Sequence, residues 1–224
     1  MTTRKTLEID KDLIRENFNK YTRKAFQMLP KLHKPRILDI GCGSGVPTLE
    51  LARLSNGQII GLDVNQSALD NLNTKIEKLR LTDRVKPVKG SMFELKFQDE
   101  SFDIVWAEGS ISVIGFKRGL KEWRRFLKPN GFLVVHDEQK NMTKKLEEIS
   151  NCGYKLIGHF KLSEAIWWVD YYEPLEKLIN DTRIKCANEP NGLLEFANEE
   201  REINMIKKNP ALFRSVFFVM QKRT

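Results

Sequence analysis

From Arg36 onward the chain alternates short apolar runs with segments of helical periodicity, and nothing else in the sequence constrains the fold as much. RILDI is followed by a helix pattern through Leu49 and Leu54, then QIIGLDV, then a stripe of Leu69, Leu72, Ile76 and Leu79. RVKPVKG and SFDIVWA come next, then a basic amphipathic helix, GFLVVHD, a helix across Leu146 and Ile149, and YKLIGHF. Strands and helices in this order imply right-handed crossovers and a parallel sheet covered on both faces. The expected class is α/β: a doubly wound, seven-stranded, mostly parallel sheet that ends in the strand LFRSVFFVMQKR.

Two helical segments precede the sheet, around Leu13 to Phe18 and Tyr21 to Leu32. A second departure lies before the last strand, where SEAIWWVDYYEPLEKLINDTRIKCANEP and NGLLEFANEEREINMIKKN read as two or three helices. With 224 residues and 41% hydrophobic content, the chain fills one sizeable core and is short for two domains. The reading is a single domain: residues 1–35 as N-terminal helices, 36–160 as the core, 161–210 as a helical insertion and 211–224 as the final strand.

Composition removes several function classes. No apolar run approaches the ~18 residues of a membrane span, and the start MTTRKTLEIDKD lacks the apolar centre of a secretory signal. A cytoplasmic setting without membrane attachment is expected. Cys42, Cys152 and Cys186 are widely spaced, with no pair at metal-ligand separation, so free thiols are expected and no metal site. The net charge of +8 raises the question of nucleic acid. Its densest run, FKRGLKEWRRFLKPNG, sets Phe116, Leu120, Trp123 and Leu127 at helical spacing, with Lys117, Lys121, Arg124, Arg125 and Lys128 between them. That is the outer face of an amphipathic helix, and no nucleic-acid module accompanies it.

The stretch ILDIGCGSG, Ile37 to Gly45, leaves the first strand and enters the first sheet helix. In open α/β sheets that junction is where ligands bind. Gly41, Gly43 and Gly45 permit backbone angles closed to other residues and remove side chains from a ligand's path. Asp39 lies two residues ahead of the first glycine, and Asp63 ends the second strand, where a carboxylate accepts from both hydroxyls of a ribose. The sixth position of a dinucleotide fingerprint is Val46, and no Gly-Lys-Ser/Thr follows, so neither a pyrophosphate turn nor a P-loop fits. Acidic residues beside the loop suit a ligand with a cationic end.

LDIGCGSG, the acidic end of GLDV, and DESFDIVWAEGSI with LKPNGFLVVHD together resemble class I S-adenosylmethionine-dependent methyltransferases. The resemblance covers roughly Arg36 to Phe160 and implies the Rossmann-like fold of that family, with S-adenosyl-L-methionine as cofactor. It implies that Gly41, Gly43 and Gly45, with Cys42 among them, pass under the methionine part of the cofactor. It further implies that Asp39 serves the amino end and Asp63 the ribose. Val64 and Asn65, with Ser91 and Met92, would lie against the adenine, and Glu108 beneath the transferable methyl. This chain has Gly90-Ser91 where members often have Gly-Asp.

A proton-bearing acceptor requires a base within hydrogen-bond reach. Glu108, His136 and Asp137 are the candidates at the sheet's carboxyl edge, with Asp170 or the Tyr171 and Tyr172 hydroxyls from the insertion. His33 and His159 have no partner pattern that suggests a ligand role. Tyr21, from an N-terminal helix over Asn17 to Leu32 that could close over the cofactor, and Trp167, Trp168, Tyr171 and Tyr172, from an insertion of about fifty residues of the kind that commonly serves as a lid, are candidate substrate contacts. The expected partner is a small-molecule methyl acceptor. An NPPY-type motif of base-methylating enzymes is absent after DIVWA. An RNA methyltransferase, or a protein that binds S-adenosylmethionine without turnover, are the alternatives.

Overall fold

The computed structural model describes residues 11–185 and 196–224; Cys186 lies outside the described residues. In chain order the larger elements are α1 (Lys11–Arg15), α2 (Asn19–Gln27), β1 (Arg36–Ile40), α3 (Val46–Leu54), β2 (Gln58–Asp63), α4 (Gln66–Lys78) and β3 (Val85–Lys89). They continue with β4 (Phe102–Glu108), α5 (Ile111–Ile114), α6 (Phe116–Trp123), β5 (Leu127–Glu138), α7 (Met142–Asn151) and β6 (Tyr154–Leu162). α8 (Glu164–Trp167), α9 (Glu173–Lys185), α10 (Ala197–Lys208) and β7 (Ser215–Lys222) complete the chain. No helix among the described residues is long and apolar enough to cross a membrane.

The seven strands form one sheet in the order β3-β2-β1-β4-β5-β7-β6. β1 pairs in parallel with both β2 and β4, β2 with β3, and β4 with β5, while β7 runs antiparallel to β5. Because successive side chains alternate across a strand, the faces can be read separately. Leu38, Ile40, Val105, Ala107, Leu133, Val135, Phe218 and Met220 join one core with Leu120 and Trp123 of α6 and Ile149 of α7. The alternate residues Ile37, Ile104, Trp106, Val134, Phe217 and Val219 are buried as well. Both faces are therefore covered, which is what continuous apolar strands of a parallel sheet require. Pro87 sits in β3, an edge strand, where the missing ladder donor costs least.

Two details of the sequence reading change. The helical stripe of the basic segment stops at Trp123, because a 3-10 turn of Arg124–Phe126 intervenes and Leu127 opens β5, paired with Phe102. α2 ends at Gln27 and not at Leu32. Pro30 cannot donate to a helical ladder and restricts the residue before it.

The chain divides into two compact units. The larger comprises Asn19–Lys161 and Ser215–Thr224; the smaller comprises the described residues up to Phe18 together with Leu162–Arg214. The segment expected as one N-terminal piece is thus split between them. The smaller unit has its own core of Ile14, Tyr172, Leu175, Ile179, Phe196, Ile203 and Ile206. A π-helical turn, Trp168–Tyr172, joins α8 to α9. Asn17 Nδ2 donates to the backbone carbonyl of Asp170 within that turn, 2.9 Å away.

Candidate functional site

Strand order reverses at β1, whose neighbours β2 and β4 lead to opposite edges of the sheet. Ligands of doubly wound sheets bind beyond the carboxyl ends at such a point. Here the glycine loop runs from β1 to α3. Gly41 and Cys42 both donate their backbone N–H to the Leu62 carbonyl, 2.8 and 3.0 Å away, and Gly45 N–H donates to the Cys42 carbonyl at 2.9 Å. Gly41, Gly43 and Gly45 all have left-handed φ, +75°, +53° and +85°. A Cβ on Gly41 would stand 2.5 Å from Ser110 Cβ, and one on Gly45 2.2 Å from Leu72 Cδ1, so packing excludes side chains there. At Gly43 a Cβ would meet nothing within 4 Å. The space beside Gly43 is open, as a cradle for a ligand requires.

Asp63 ties this loop to the end of β2. Its Oδ2 accepts from Gly43 N–H at 2.8 Å and its Oδ1 from Asn65 N–H at 2.9 Å. Asn65 caps α4 by accepting from Ala68 N–H. Val64, between them, is 62% exposed. Across the loop, Met92 Cε lies 3.7 Å from where a Gly41 Cβ would be, and Ser91 Oγ accepts from Phe93 N–H. The residues expected to hold a nucleoside therefore sit around one loop.

Asp39 and Glu108 lie on the sheet face opposite α6 and α7. In the pairing of β1 with β4, Asp39 is opposite Trp106, two residues before Glu108. Asp39 is buried and its Oδ2 accepts from Thr48 Oγ1 of α3 at 2.6 Å. Burial pushes its carboxyl up to about 7, the Thr48 hydrogen bond opposes this, and the Asp63 charge adds to it. Glu108 Oε1 accepts two hydrogen bonds, from Trp106 Nε1 at 2.7 Å and Thr22 Oγ1 of α2 at 2.8 Å. Burial likewise pushes Glu108 up to about 7 against these donors. Among the described residues no lysine or arginine pairs with Asp39, Asp63 or Glu108. Burial and the neighbouring carboxylates push the Cys42 thiol up, so it stays protonated.

His136 and Asp137, at the end of β5, are otherwise engaged. His136 is buried, stacks on Phe217 with ring centroids 4.2 Å apart, and has Nε2 2.7 Å from Ser215 Oγ. Burial lowers its pKa to about 3, which keeps the ring neutral. Asp137 Oδ2 accepts from Lys145 Nζ of α7 at 2.6 Å, and the same ammonium donates to the Glu138 carbonyl.

The aromatic candidates are divided between the two units. Tyr21, on α2 of the larger unit, lies under Lys20 Nζ. Trp167, Trp168, Tyr171 and Tyr172 belong to the smaller unit. There Trp167 packs on Phe18 and Tyr171 on Tyr172, while Tyr172 is buried and donates from its hydroxyl to Glu202. Much of the basic run is also spent internally: Arg118 pairs with Glu122, Arg125 with Asp99 and Lys128 with Asp103. Sequence reasoning missed Thr22 and Thr48. Thr48 lies in the same strand-loop-helix unit as its partner and carries a local signal, whereas Thr22 bonds a residue 86 positions away and carries none.

Comparisons with known proteins bear on the family. The family model described as a methyltransferase domain matches residues 37–131. The demethylmenaquinone methyltransferase of Lactobacillus johnsonii is 32% identical over 182 residues, 78% of this chain and 74% of its own length. A sterol 24-C-methyltransferase of Debaryomyces hansenii is 30% identical over 196 residues, 82% of this chain and 50% of its own length. In fold, the crystal structure of the [4+2]-cyclase SpnF matches with a TM-score of 0.77 at 19% identity, covering 92% of this chain and 82% of that one. The chain spans between 27% and 50% of the length of the first curated relatives it matches. Fold likeness at 19% identity leaves the chemistry open, but the glycine loop, its acidic neighbours and the relatives at 30% identity and above agree on one family. This chain belongs to the class I S-adenosylmethionine-dependent methyltransferases.

Proposed function

We propose that this protein binds S-adenosyl-L-methionine at the β1–α3 loop and transfers its methyl group to a small-molecule acceptor. The observation that carries this reading is the set of three carboxylates at the sheet's carboxyl edge, Asp39, Asp63 and Glu108, without a cationic partner among the described residues: Asp63 holds Gly43, beside which the space is open, and Asp39 lies close enough to feel the charge of Asp63 and to act on Glu108. Carboxylates taken out of water without a counter-charge are costly, so a ligand that brings positive charge suits the site. When bound, S-adenosylmethionine supplies a methyl group already electrophilic on its sulfonium. In this reading Asp63 accepts from the ribose hydroxyls while still holding Gly43 and Asn65, since each carboxylate oxygen has two acceptor positions. Val64 and Met92 lie against the adenine, with Asn65 and Ser91 beside it. Asp39 supplies charge beneath the methionine end.

The remaining work is orientation. Holding two reactants in line supplies roughly 7–11 kcal/mol of a bimolecular barrier at best, so few catalytic groups are needed. Of the three candidates Glu108 is favoured as proton acceptor. It is only half-buried, and both of its hydrogen bonds fall on Oε1, leaving Oε2 without a donor among the described residues. His136 and Asp137 are proposed as structural supports. The relatives named for menaquinone and sterol support a small-molecule acceptor over RNA. The buried free thiols of Cys42 and Cys152 suit the cytoplasmic setting proposed for it. The test is release of S-adenosylhomocysteine by the purified protein over a panel of small quinols, sterols, phenols, amines and thiols. Turnover on any of them supports the reading; turnover on RNA alone overturns it.

A further inference from the structure

Glu108 depends on a residue from outside the sheet. Thr22 is buried on α2, and its hydroxyl joins the Trp106 indole on a single oxygen of the Glu108 carboxylate. α2 is itself fixed to α3 through the ion pair of Arg23 with Glu50, 3.2 Å, and Phe26 packs near Trp106. We propose that Thr22 is a positioning residue of the methyl-transfer site, holding Glu108 as the ionised carboxylate that receives the acceptor's proton. This rests on the reading of Glu108 given above.

The step balances without a further reagent. The acceptor's X–H bond gives its proton to Glu108 and its electron pair to the methyl carbon, while the pair of the breaking carbon–sulfur bond stays on sulfur. The charged and titratable groups facing Glu108 show why the two donors matter. From β1, Asp39 disfavours a second negative charge. From β5, His136 is next to Glu108 in register and neutral. On α2, Arg23 is committed to Glu50, Lys20 stands over Tyr21 and Lys24 over Phe160. With no cation on Glu108 among the described residues, hydrogen bonds to the charged form are what offset burial and Asp39. Because both fall on Oε1, they also fix the plane of the carboxylate.

The experiment follows the Glu108 carboxyl by carbon NMR through a pH titration of the full ligand-free chain, with the signal assigned from Glu108→Gln. Thr22→Val keeps the shape of the side chain and removes the donor; Thr22→Ser restores it; Thr22→Ala is the substitute should valine fail to fold. Glu108 is expected to titrate near neutral pH in the native chain and in Thr22→Ser. In Thr22→Val or Thr22→Ala it should titrate about one pH unit higher, a tenfold change in proton affinity. With an acceptor identified by the turnover panel, the acid limb of the rate profile should move by the same amount and be rescued by serine. Titration and rate profile unchanged by loss of the hydroxyl would overturn the role of Thr22. Full turnover in Glu108→Gln would instead overturn the reading of Glu108 on which it rests.

Discussion

At the end of β5, Asp137 meets the Lys145 ammonium 2.6 Å away, whereas at the ends of β1, β2 and β4 three carboxylates are held by hydroxyl, indole and amide donors alone. Both regions are acidic and both lie at the carboxyl edge of one sheet. The first carries its own counter-charge; the second has none among the described residues. Among the described residues lysine meets one carboxylate and none of its three neighbours, which is why the second region is the one proposed to take a cationic ligand. The same contrast separates residues that look alike in sequence: Glu108 and Asp137 lie at the ends of neighbouring strands, yet of the two only Asp137 is paired with a cation among the described residues.

The largest effect that sharpens this contrast comes from breaking the complete region. Asp137→Ala strands a largely buried ammonium and should cost about 3 kcal/mol of stability, measured by chemical denaturation, with affinity for S-adenosylhomocysteine in the folded protein unchanged. A stable variant that has lost that affinity would move Asp137 into the ligand site.

Next is the loop. Gly43→Val fills the open space and should weaken S-adenosylhomocysteine binding roughly 10- to 100-fold, the scale of 1–3 kcal/mol typical of overpacking. Gly45→Val should damage folding more, because left-handed φ strains valine at both positions but only at Gly45 does the side chain also run into Leu72. Calorimetry and thermal melting of the two variants separate the outcomes, and a folded Gly43→Val with native affinity would empty the proposed cradle.

The smallest effect is the pH dependence. Asp39 and Glu108, raised to about 7 by burial, are mostly protonated at pH 6 and ionised at pH 8. A bound cation favours the ionised forms, so binding releases protons and strengthens as pH rises through 7. S-adenosylhomocysteine lacks the sulfonium charge. The ratio of its dissociation constant to that of S-adenosylmethionine should therefore rise roughly three- to tenfold from pH 6 to pH 8. A constant ratio would mean that these carboxylates do not sense the sulfonium.

The strands of the sheet were legible because apolar runs and helical stripes keep their period wherever packing decides the residue. The glycine loop was legible because left-handed backbone and close packing leave glycine as the residue that fits Gly41 and Gly45. What the sequence hid depends on distance along the chain. The insertion of β7 between β5 and β6 leaves no local mark, and neither does the Thr22 hydrogen bond to Glu108. The ion pair of Asp137 was hidden because its counter-charge, Lys145, reads as one more polar residue of α7. Leu127 kept the helical spacing and still joined a strand, since a 3-10 turn reset the register before it.

The region around Gly43 is proposed to bind S-adenosylmethionine, with Asp63 holding both loop and ribose. Isothermal titration of the native chain and of Asp63→Ala with S-adenosylmethionine, S-adenosylhomocysteine and NAD tests it most directly. The native chain should bind the first two and not NAD, and Asp63→Ala should weaken both by roughly 10- to 100-fold, as loss of a charge-assisted hydrogen bond of about 1.5–3 kcal/mol implies. No binding of either nucleoside by the native chain, tighter binding of NAD, or full affinity in a folded Asp63→Ala would contradict the account.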